Sequence, residues 1–345
     1  MKKTLLLSTA LVAFAGMAVA DVSLSGRAEM GIFGTNLDTG DIKDDPDFFT
    51  DIDVTFTMSG ETDGGLVFGA TVDLDEVGSS ESVQLLDDDN NLIVNPAIVD
   101  GATNNNDDDG GATMFISGGF GTFTMGDTDG ALDFAIMDTG DINNGGSIND
   151  DETEHVGYFG AYHDAVYDNQ IARYDYSFGD WAFAVSAEMD DSDTNDDRDT
   201  GYAAGVKWAG ELGGTAVNAG LGYQSVDLDA DDGDNENIWA VSLGADFDMG
   251  LAVGAVYVGG DVLGVDDSSY VGLGIGYTTG ALTLHANWGQ FDLDDDDRNP
   301  SGFGLSAAYD LGGGAVVHAG YGSSDFDRSD VDDFDRYSFG LGLSF

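Results

Sequence analysis

The chain has 345 residues, of which 66 are acidic and 10 basic, so its formal net charge is −56. Such a chain repels nucleic acid, which demands a basic surface, and it offers no polybasic patch for anionic lipid. Cysteine is absent, which excludes disulfides and thiol chemistry. With 52 glycines and only 3 prolines, the composition favours long hydrogen-bonded strands, because proline cannot donate to a strand ladder.

The first twenty residues are predicted to be a secretory signal. Lys2 and Lys3 precede an apolar stretch from Leu5 to Val19, and Ala18-Val-Ala20 forms a small-residue cleavage site before Asp21. Beyond it, no apolar run approaches the roughly 20 residues that a helix needs to cross a bilayer. We therefore expect an exported chain with a signal at 1–20 and one domain at 21–345.

Side chains alternate between apolar and polar from the first predicted strand to the last. In the first strand, Val22, Leu24, Ala28 and Ile32 share one face, and Ser23, Ser25, Arg27 and Glu29 share the other. In the last, the apolar face comprises Tyr337, Phe339, Leu341, Leu343 and Phe345. An apolar face toward lipid and a small, polar face toward a lumen are typical of an outer-membrane β-barrel.

The predicted connections are of two kinds that alternate strictly. Seven short, glycine-centred turns lie at 62–65, 118–121, 178–180, 210–214, 248–250, 279–280 and 310–314. Eight longer, acidic segments lie at about 34–47, 76–111, 127–170, 190–200, 227–236, 259–268, 292–300 and 324–334. Fifteen connections join sixteen strands, and we expect an all-β, antiparallel transmembrane barrel with short periplasmic turns and long external loops. A soluble β-sandwich would have loops of similar length at both ends. The strict alternation of short turns and long segments therefore disfavours a sandwich.

The third long segment, 127–170, is the predicted functional element. The lumen of a sixteen-stranded barrel is too wide for wall side chains to fill, so a long loop that folds inward narrows it. The acids proposed for the constriction are Asp127, Asp129, Asp133, Asp138 and Asp141. For Asp150, Asp151, Glu152 and Glu154 we expect solvated external positions.

Strand phase selects the charged residues that face the lumen. The basic ones are Arg27, Arg173 and Lys207, since a charge on the lipid face would cost about 2–4 kcal/mol near the midplane. Glu29, Asp51, Asp53, His285 and His318 share the lumen phase. Acids that face bases across a constriction would set up a transverse field that favours small polar solutes.

No catalytic or metal-binding motif emerges from the sequence. It has no G-x-S-x-G, Walker A or H-E-x-x-H motif, so we expect no enzyme and no required cofactor. Residues 105–110 and 227–233 resemble parts of an EF-hand loop, but neither has its full spacing. Loose binding of Ca²⁺ or Mg²⁺ by acidic loops stays open beside a salt-adapted surface and a cation-preferring pore as explanations of the acidity. The metal site itself is unknown.

The chain resembles the general diffusion porins of photosynthetic α-proteobacteria such as Rhodobacter. The resemblance rests on residues 21–31, 56–70, 115–127 and 309–315 and on the terminal Phe345, and its most specific part is the run Ser117-Gly-Gly-Phe-Gly-Thr-Phe-Thr-Met-Gly-Asp127. It implies a homotrimer in the outer membrane of a Gram-negative bacterium. It also implies that a third loop, which begins at Asp127, sets acids against a basic cluster.

With three inward bases, this chain has a thinner basic cluster than the resemblance implies, which favours cations. We therefore expect a passive channel for small hydrophilic solutes and ions. The alternative is a solute-selective porin with a saturable site in the constriction. A structural or adhesive barrel would need a plugged lumen, and a barrel hydrolase would need a nucleophile site that the sequence does not provide.

Overall fold

The computed structural model describes residues 21–36, 46–75, 85–86, 92–94, 111–148, 150, 152–160, 162, 170–189, 200–226, 235–293, 299–328 and 333–345. The predicted signal at 1–20 and the EF-hand-like runs at 105–110 and 227–233 lie outside these residues.

Within the described residues, sixteen strands close into one antiparallel barrel, as the alternation predicts. The barrel strands are β1 Asp21–Thr35, β2 Asp47–Glu61, β3 Val67–Asp75, β6 Ala112–Gly118, β7 Gly121–Asp127, β8 Gln170–Phe178, β9 Trp181–Glu188, β10 Gly201–Leu212, β11 Thr215–Val226, β12 Glu236–Asp246, β13 Leu251–Val262, β14 Val265–Thr279, β15 Leu282–Asp292, β16 Ser301–Gly312, β17 Ala315–Asp325 and β18 Phe334–Ser344. A separate two-stranded sheet joins β4 Leu85–Leu86 to β5 Leu92–Val94.

Closure of the barrel depends on the two ends of the described chain. β1 pairs with β18 from Arg27 opposite Ser344 to Thr35 opposite Arg336. Beyond that ladder, the Phe345 N–H donates to the Gly26 carbonyl at 2.9 Å. The seam therefore leaves no open sheet edge. A sheet that spans a membrane must be closed in this way, because lipid offers no hydrogen-bond partners.

The seven short turns lie where the sequence predicts them, and one predicted long loop is wrong. The segment 259–268 was expected to be a loop, yet β13 runs to Val262 and β14 starts at Val265. Leu263 and Gly264 alone make the turn, with φ of 54° and 72°. Two successive positive φ values give a tight hairpin whose twist matches the flanking strands.

The two faces of the wall differ as the alternation predicts. The outward face carries large apolar side chains, among them Leu24, Met114 and Leu243, each about 60% exposed in the isolated chain. The inward face of β1 and β2 is polar and charged, whereas inward positions of β12 and β13 are apolar and fully covered. This second group comprises Ile238, Ala240, Val256 and Val258. Something inside the barrel therefore packs on that half of the wall.

The structure also contains a short helix, α1 Ala131–Ala135, directly after β7. Ala131 and Leu132 have no exposed surface, so α1 is enclosed by its surroundings. Among the described residues, none of the helical segments has the length and apolar character needed to cross a membrane.

Candidate functional site

The described residues of the segment between β7 and β8 lie against the inner wall of the barrel. At its start, the Ala131 N–H donates to the Ser186 hydroxyl at 2.8 Å, and the Met137 N–H donates to the Ser242 hydroxyl at 3.0 Å. Further along, the Asn287 side-chain amide donates to the Thr153 carbonyl at 2.6 Å, and the Val156 N–H donates to the Ser324 hydroxyl at 3.1 Å. Side chains of β9, β12, β15 and β17 thus take up backbone groups that a loop would otherwise leave unpaired.

Glycines in the wall make this close approach possible. A Cβ atom on Gly220 would lie 2.0 Å from the Ala135 carbonyl oxygen. At Gly276 it would lie 2.0 Å from the Ile142 carbonyl oxygen, and at Gly289 the same distance from the Gly157 carbonyl oxygen. The loop backbone therefore occupies the space that side chains would fill at these positions.

His285 and His318 face the lumen as their phase predicts, but both are covered by the loop. Nδ1 of His285 lies 2.9 Å from the Ile142 carbonyl oxygen, and Nδ1 of His318 lies 3.0 Å from the Gly146 carbonyl oxygen. Their residues are only 4% and 5% exposed. They serve as anchors for the loop, which is a more specific role than that of a polar lining.

An apolar core forms between the loop and the wall. Leu132 and Ile136 belong to it, together with the covered inward residues of β12 and β13. The Phe159 ring meets the rings of Tyr270 and Phe291 edge to face, each with centroids 5.6 Å apart. This core fills one side of the lumen, and open space remains beside β1, β17 and β18.

A bay of about 480 Å³ lies between the loop and the wall at β1, β17 and β18. The acids that line it from the loop are Asp141, Asp150 and Glu154, and Arg27 and Glu29 line it from the wall. Glu154 reaches water, but protein surrounds it, and loss of solvation together with Asp150, Asp138 and Asp141 raises its pKa to about 7. Asp138 accepts hydrogen bonds from the Tyr158 hydroxyl and the Gly140 N–H, while burial raises the pKa of this carboxyl group.

The expectation that the acids of 150–154 are solvated and external is wrong for Asp150 and Glu152, whereas Glu154 is exposed, although it lines the bay. Glu152 is 2% exposed and accepts a hydrogen bond from the Ser147 hydroxyl. Asp150 lies 3.6 Å from the Arg27 guanidinium and accepts from the Ser147 N–H at 2.7 Å. The loop doubles back inside the barrel at this point, and a linear acidic run gives no sign of such a turn. Asp151 lies outside the described residues.

The three predicted wall bases lie in two separate places. Arg27 on β1 donates to the Glu29 carboxylate at 2.6 Å and faces the bay. Arg173 and Lys207 lie at α1: Arg173 donates to the Asp129 carbonyl at 2.6 Å, and Lys207 donates to the Phe134 carbonyl at 2.7 Å. The structure therefore does not gather these three residues into one basic cluster.

The wall around Arg27 is acidic. In the ladder between β1 and β2, Arg27 stands opposite Asp53, and Glu29 stands opposite Asp51. Asp53 in turn stands opposite Asp75 of β3. The lumen phase predicted for Glu29, Asp51 and Asp53 thus places them side by side on neighbouring strands.

The first acids of the loop are spread along its path. Asp127 ends β7 with its carboxylate beside Gly111, where a Cβ would lie 2.0 Å from Asp127 Oδ2. Asp129 is exposed, with its carboxylate 3.9 Å from Arg173, and Asp133 lies within α1. Of the five acids proposed for the constriction, Asp141 lines the bay.

Several residues that hold the loop were missed by sequence reasoning. They are inward serines, asparagines and glycines, which the alternation marks only as small or polar. The available signal was in β12 and β13, where Ile238, Ala240, Val256 and Val258 are apolar on the face that should meet water. Strands that are apolar on both faces indicate a covered inner face.

Metal binding has no geometric support in the described part of the chain, where no group of three or more His, Asp or Glu residues lies close enough together to hold a cation.

Comparisons with known proteins agree with this architecture. The family model described as Gram-negative porin matches residues 7–329. A porin from Rhodobacter capsulatus is 30% identical over 331 residues, which cover 90% of this chain and 97% of that protein.

Solved structures give the same result. A porin structure refined at 1.8 Å resolution superimposes with a TM-score of 0.66 at 25% identity, covering 94% of this chain and 100% of the other. A triple mutant of Rhodopseudomonas blastica porin gives 0.63 at 17% identity with the same coverage, which supports the fold alone. The protein is an outer-membrane channel rather than an enzyme, and the chain belongs to the Gram-negative porin family.

Proposed function

We propose that the protein is a general diffusion porin for small hydrophilic solutes and ions, that it prefers cations, and that the loop between β7 and β8 forms its constriction. The supporting observation is the composition of the bay. Asp141, Asp150 and Glu154 line it, while its one lining arginine, Arg27, is paired with Glu29 and Asp150.

Electrostatics gives the direction of the preference. Two unit charges 4 Å apart interact by about 1 kcal/mol in water and by about 4 kcal/mol near a protein surface, so unpaired carboxylates in a narrow passage concentrate cations. Arg173 and Lys207 do little to weaken this attraction of cations at the bay, since both lie at α1. Solute binding must stay weak, because a solute has to leave as readily as it enters.

The test is the single-channel conductance and reversal potential of the refolded protein in planar bilayers under a KCl gradient. We expect large stepwise currents and a reversal potential on the potassium side of zero. Stable insertion without current would contradict the diffusion function. Current with a reversal potential on the chloride side would contradict the cation preference alone.

A solute-selective porin is the second candidate, and the bay is the observation that favours it. Arg27 and the carboxylates of Asp141 and Glu154 line the same space of about 480 Å³, which suits a small zwitterionic solute. Titration with glycine or a longer amino acid would then block the current in a saturable manner. Currents that stay proportional to the ion concentration at all solute concentrations would contradict a saturable site.

We also infer that three copies associate through the barrel wall near its shortest strands. β6 and β7 have seven residues each, and the wall beside them carries an outward apolar groove at Ala70 of β3. Its lining includes Met58, Phe68, Ala70, Met114, Ile116 and Met125. Measurement of the molar mass in detergent by light scattering tests this, and a monomeric mass would contradict it.

We further propose that the acidic loops bind Ca²⁺ or Mg²⁺ loosely. A measurement of how the stability of the protein depends on calcium tests this proposal.

A further inference from the structure

Lys207 and Arg173 both approach the ring of Phe134. Lys207 Nζ lies 3.6 Å from the ring centroid, and the Arg173 guanidinium carbon lies 5.0 Å from it. Phe134 belongs to α1, while the two bases come from β10 and β8. The ring thus meets two cations from different strands of the wall.

Hydrogen bonds fix both cations in this position. Lys207 donates to the carbonyl of Phe134 itself at 2.7 Å, and Arg173 donates to the carbonyl of Asp129 at 2.6 Å. The side chain of Arg173 is only 13% exposed, so it is largely removed from the lumen water. A cation over an aromatic face gains most when it is desolvated, and hydrogen bonds from a charged donor are stronger than neutral ones.

The helix α1, which these contacts hold in place, is too short to be stable without them. α1 has five residues, far fewer than the roughly 12–15 that an isolated helix needs to be even marginally stable in water. It sits where the wall offers glycine, since a Cβ on Gly205 would lie 2.1 Å from the Ala131 carbonyl oxygen. Contacts from the wall must therefore supply its stability.

We propose that Phe134, Lys207 and Arg173 form a clamp that seats the first part of the loop on the wall. Lys207 and Arg173 are then positioning residues whose charges are used by the loop. They are not the basic side of a transverse field in the pore. The charged groups around the clamp are Asp129 and Asp133 of the loop and Asp175 of β8, which lies 3.8 Å from Arg173.

Because the chain has no cysteine, a single introduced thiol can report whether the loop leaves the wall. Ala135→Cys places it on α1, where Ala135 is 3% exposed, and Ala184→Cys places it on the wall beneath the loop, where Ala184 is 4% exposed. The rate of modification by a water-soluble thiosulfonate is measured on the refolded barrel. This readout needs no current, so it is independent of whether the diffusion function holds.

In both reporter backgrounds, we expect Phe134→Leu to raise the modification rate about tenfold, since it keeps apolar volume but removes the cation–ring contacts. Phe134→Tyr keeps the ring and should change the rate less than about twofold. Lys207→Met should raise the modification rate as much as Phe134→Leu does. Lys207→Arg keeps the positive charge, so its modification rate should stay close to that of the reporter variant alone. Resistance of the folded barrel to sodium dodecyl sulfate verifies that each variant has folded.

Two results would overturn the clamp. The first is an unchanged modification rate in Phe134→Leu and Lys207→Met at both reporters. The second is a reversal potential that moves as far in Lys207→Met as in Arg27→Gln, while the modification rate stays constant. That combination would make Lys207 a pore-lining charge.

Discussion

Arg27 is the base that faces the bay, and its charge is shared between two carboxylates. It donates to Glu29 at 2.6 Å and lies 3.6 Å from Asp150, with about half of its side chain exposed. Arg27→Gln should therefore remove the positive charge that lies beside both carboxylates. We expect the reversal potential under a KCl gradient to move toward the potassium potential, as measured in planar bilayers.

The matched control for this change is Arg328→Gln. It removes the same charge from the connection between β17 and β18, outside the strands. Its effect on the reversal potential should be much smaller, because Arg328 does not line the bay. An equal shift in both variants, or a shift toward chloride in Arg27→Gln, contradicts a local role of Arg27.

Glu154 gives the pore a pH dependence near neutrality. Loss of solvation and neighbouring Asp150, Asp138 and Asp141 raise its pKa to about 7, while Arg336 acts in the opposite direction. A raised pKa means that the carboxyl group is neutral below about pH 7 and charged above it. Cation preference should therefore increase as the pH rises through 7, and Glu154→Gln should remove that step.

Reversal potentials recorded between pH 5 and pH 9 test this dependence. Glu61→Gln, at the end of β2 next to a short turn, removes one carboxylate away from the bay and should keep the step. A step that persists in Glu154→Gln would assign the titration to a different group.

At the scale of elements, the fit between the loop and the wall depends on glycine. Gly220→Ala and Gly276→Ala would each place a methyl group about 2.0 Å from a loop carbonyl oxygen. Such overpacking typically costs about 1–3 kcal/mol, and the loop can relieve it only by moving into the lumen. We expect a lower free energy of unfolding and a smaller single-channel conductance.

Gly119→Ala is the control for these substitutions. Gly119 lies in the turn between β6 and β7, with nothing within 4 Å of the added methyl group. It should leave both quantities unchanged. If Gly220→Ala and Gly276→Ala behave like Gly119→Ala, the loop does not press on the wall in solution.

Periodicity explains why the strands were predictable from sequence. Each strand needs only its own alternation, which was enough to assign Arg27, Arg173 and Lys207 to the face that contacts the loop. The β13–β14 connection was mispredicted because Leu263 at positive φ carries no sequence signal of a tight turn. Apolar residues such as Val258 on an inward face were the one local sign that something covers them.

The partners of the lumen residues could not be predicted in the same way. They depend on how the described residues between β7 and β8 double back, which brings Asp150 to β1 and Phe134 to β8 and β10. These contacts join positions 39, 73 and 123 residues apart in the chain, and no periodic pattern records them. Burial of Glu152 is the clearest example, since an acid in an acidic run predicts solvent.

At the scale of the whole molecule, the net charge of −56 opposes the fold. A net charge this far from zero destabilises a compact state by self-repulsion, and salt weakens that repulsion. The screening length falls from about 10 Å at 0.1 M to about 3 Å at 1 M ionic strength. Thermal unfolding of the detergent-solubilised barrel should therefore begin several degrees higher in 1 M than in 0.1 M KCl, as followed by circular dichroism.

Two further measurements separate screening from site binding by divalent cations. Asp266→Asn together with Asp267→Asn removes two exposed charges beside the β13–β14 turn and should reduce the dependence on KCl. Millimolar CaCl₂ barely changes the screening length, so a rise in the unfolding temperature that matches 1 M KCl would indicate carboxylate sites that bind the cation. An unfolding temperature that responds to neither salt would mean that water alone already screens the repulsion between the surface carboxylates. Self-repulsion would then be excluded as a limit on stability.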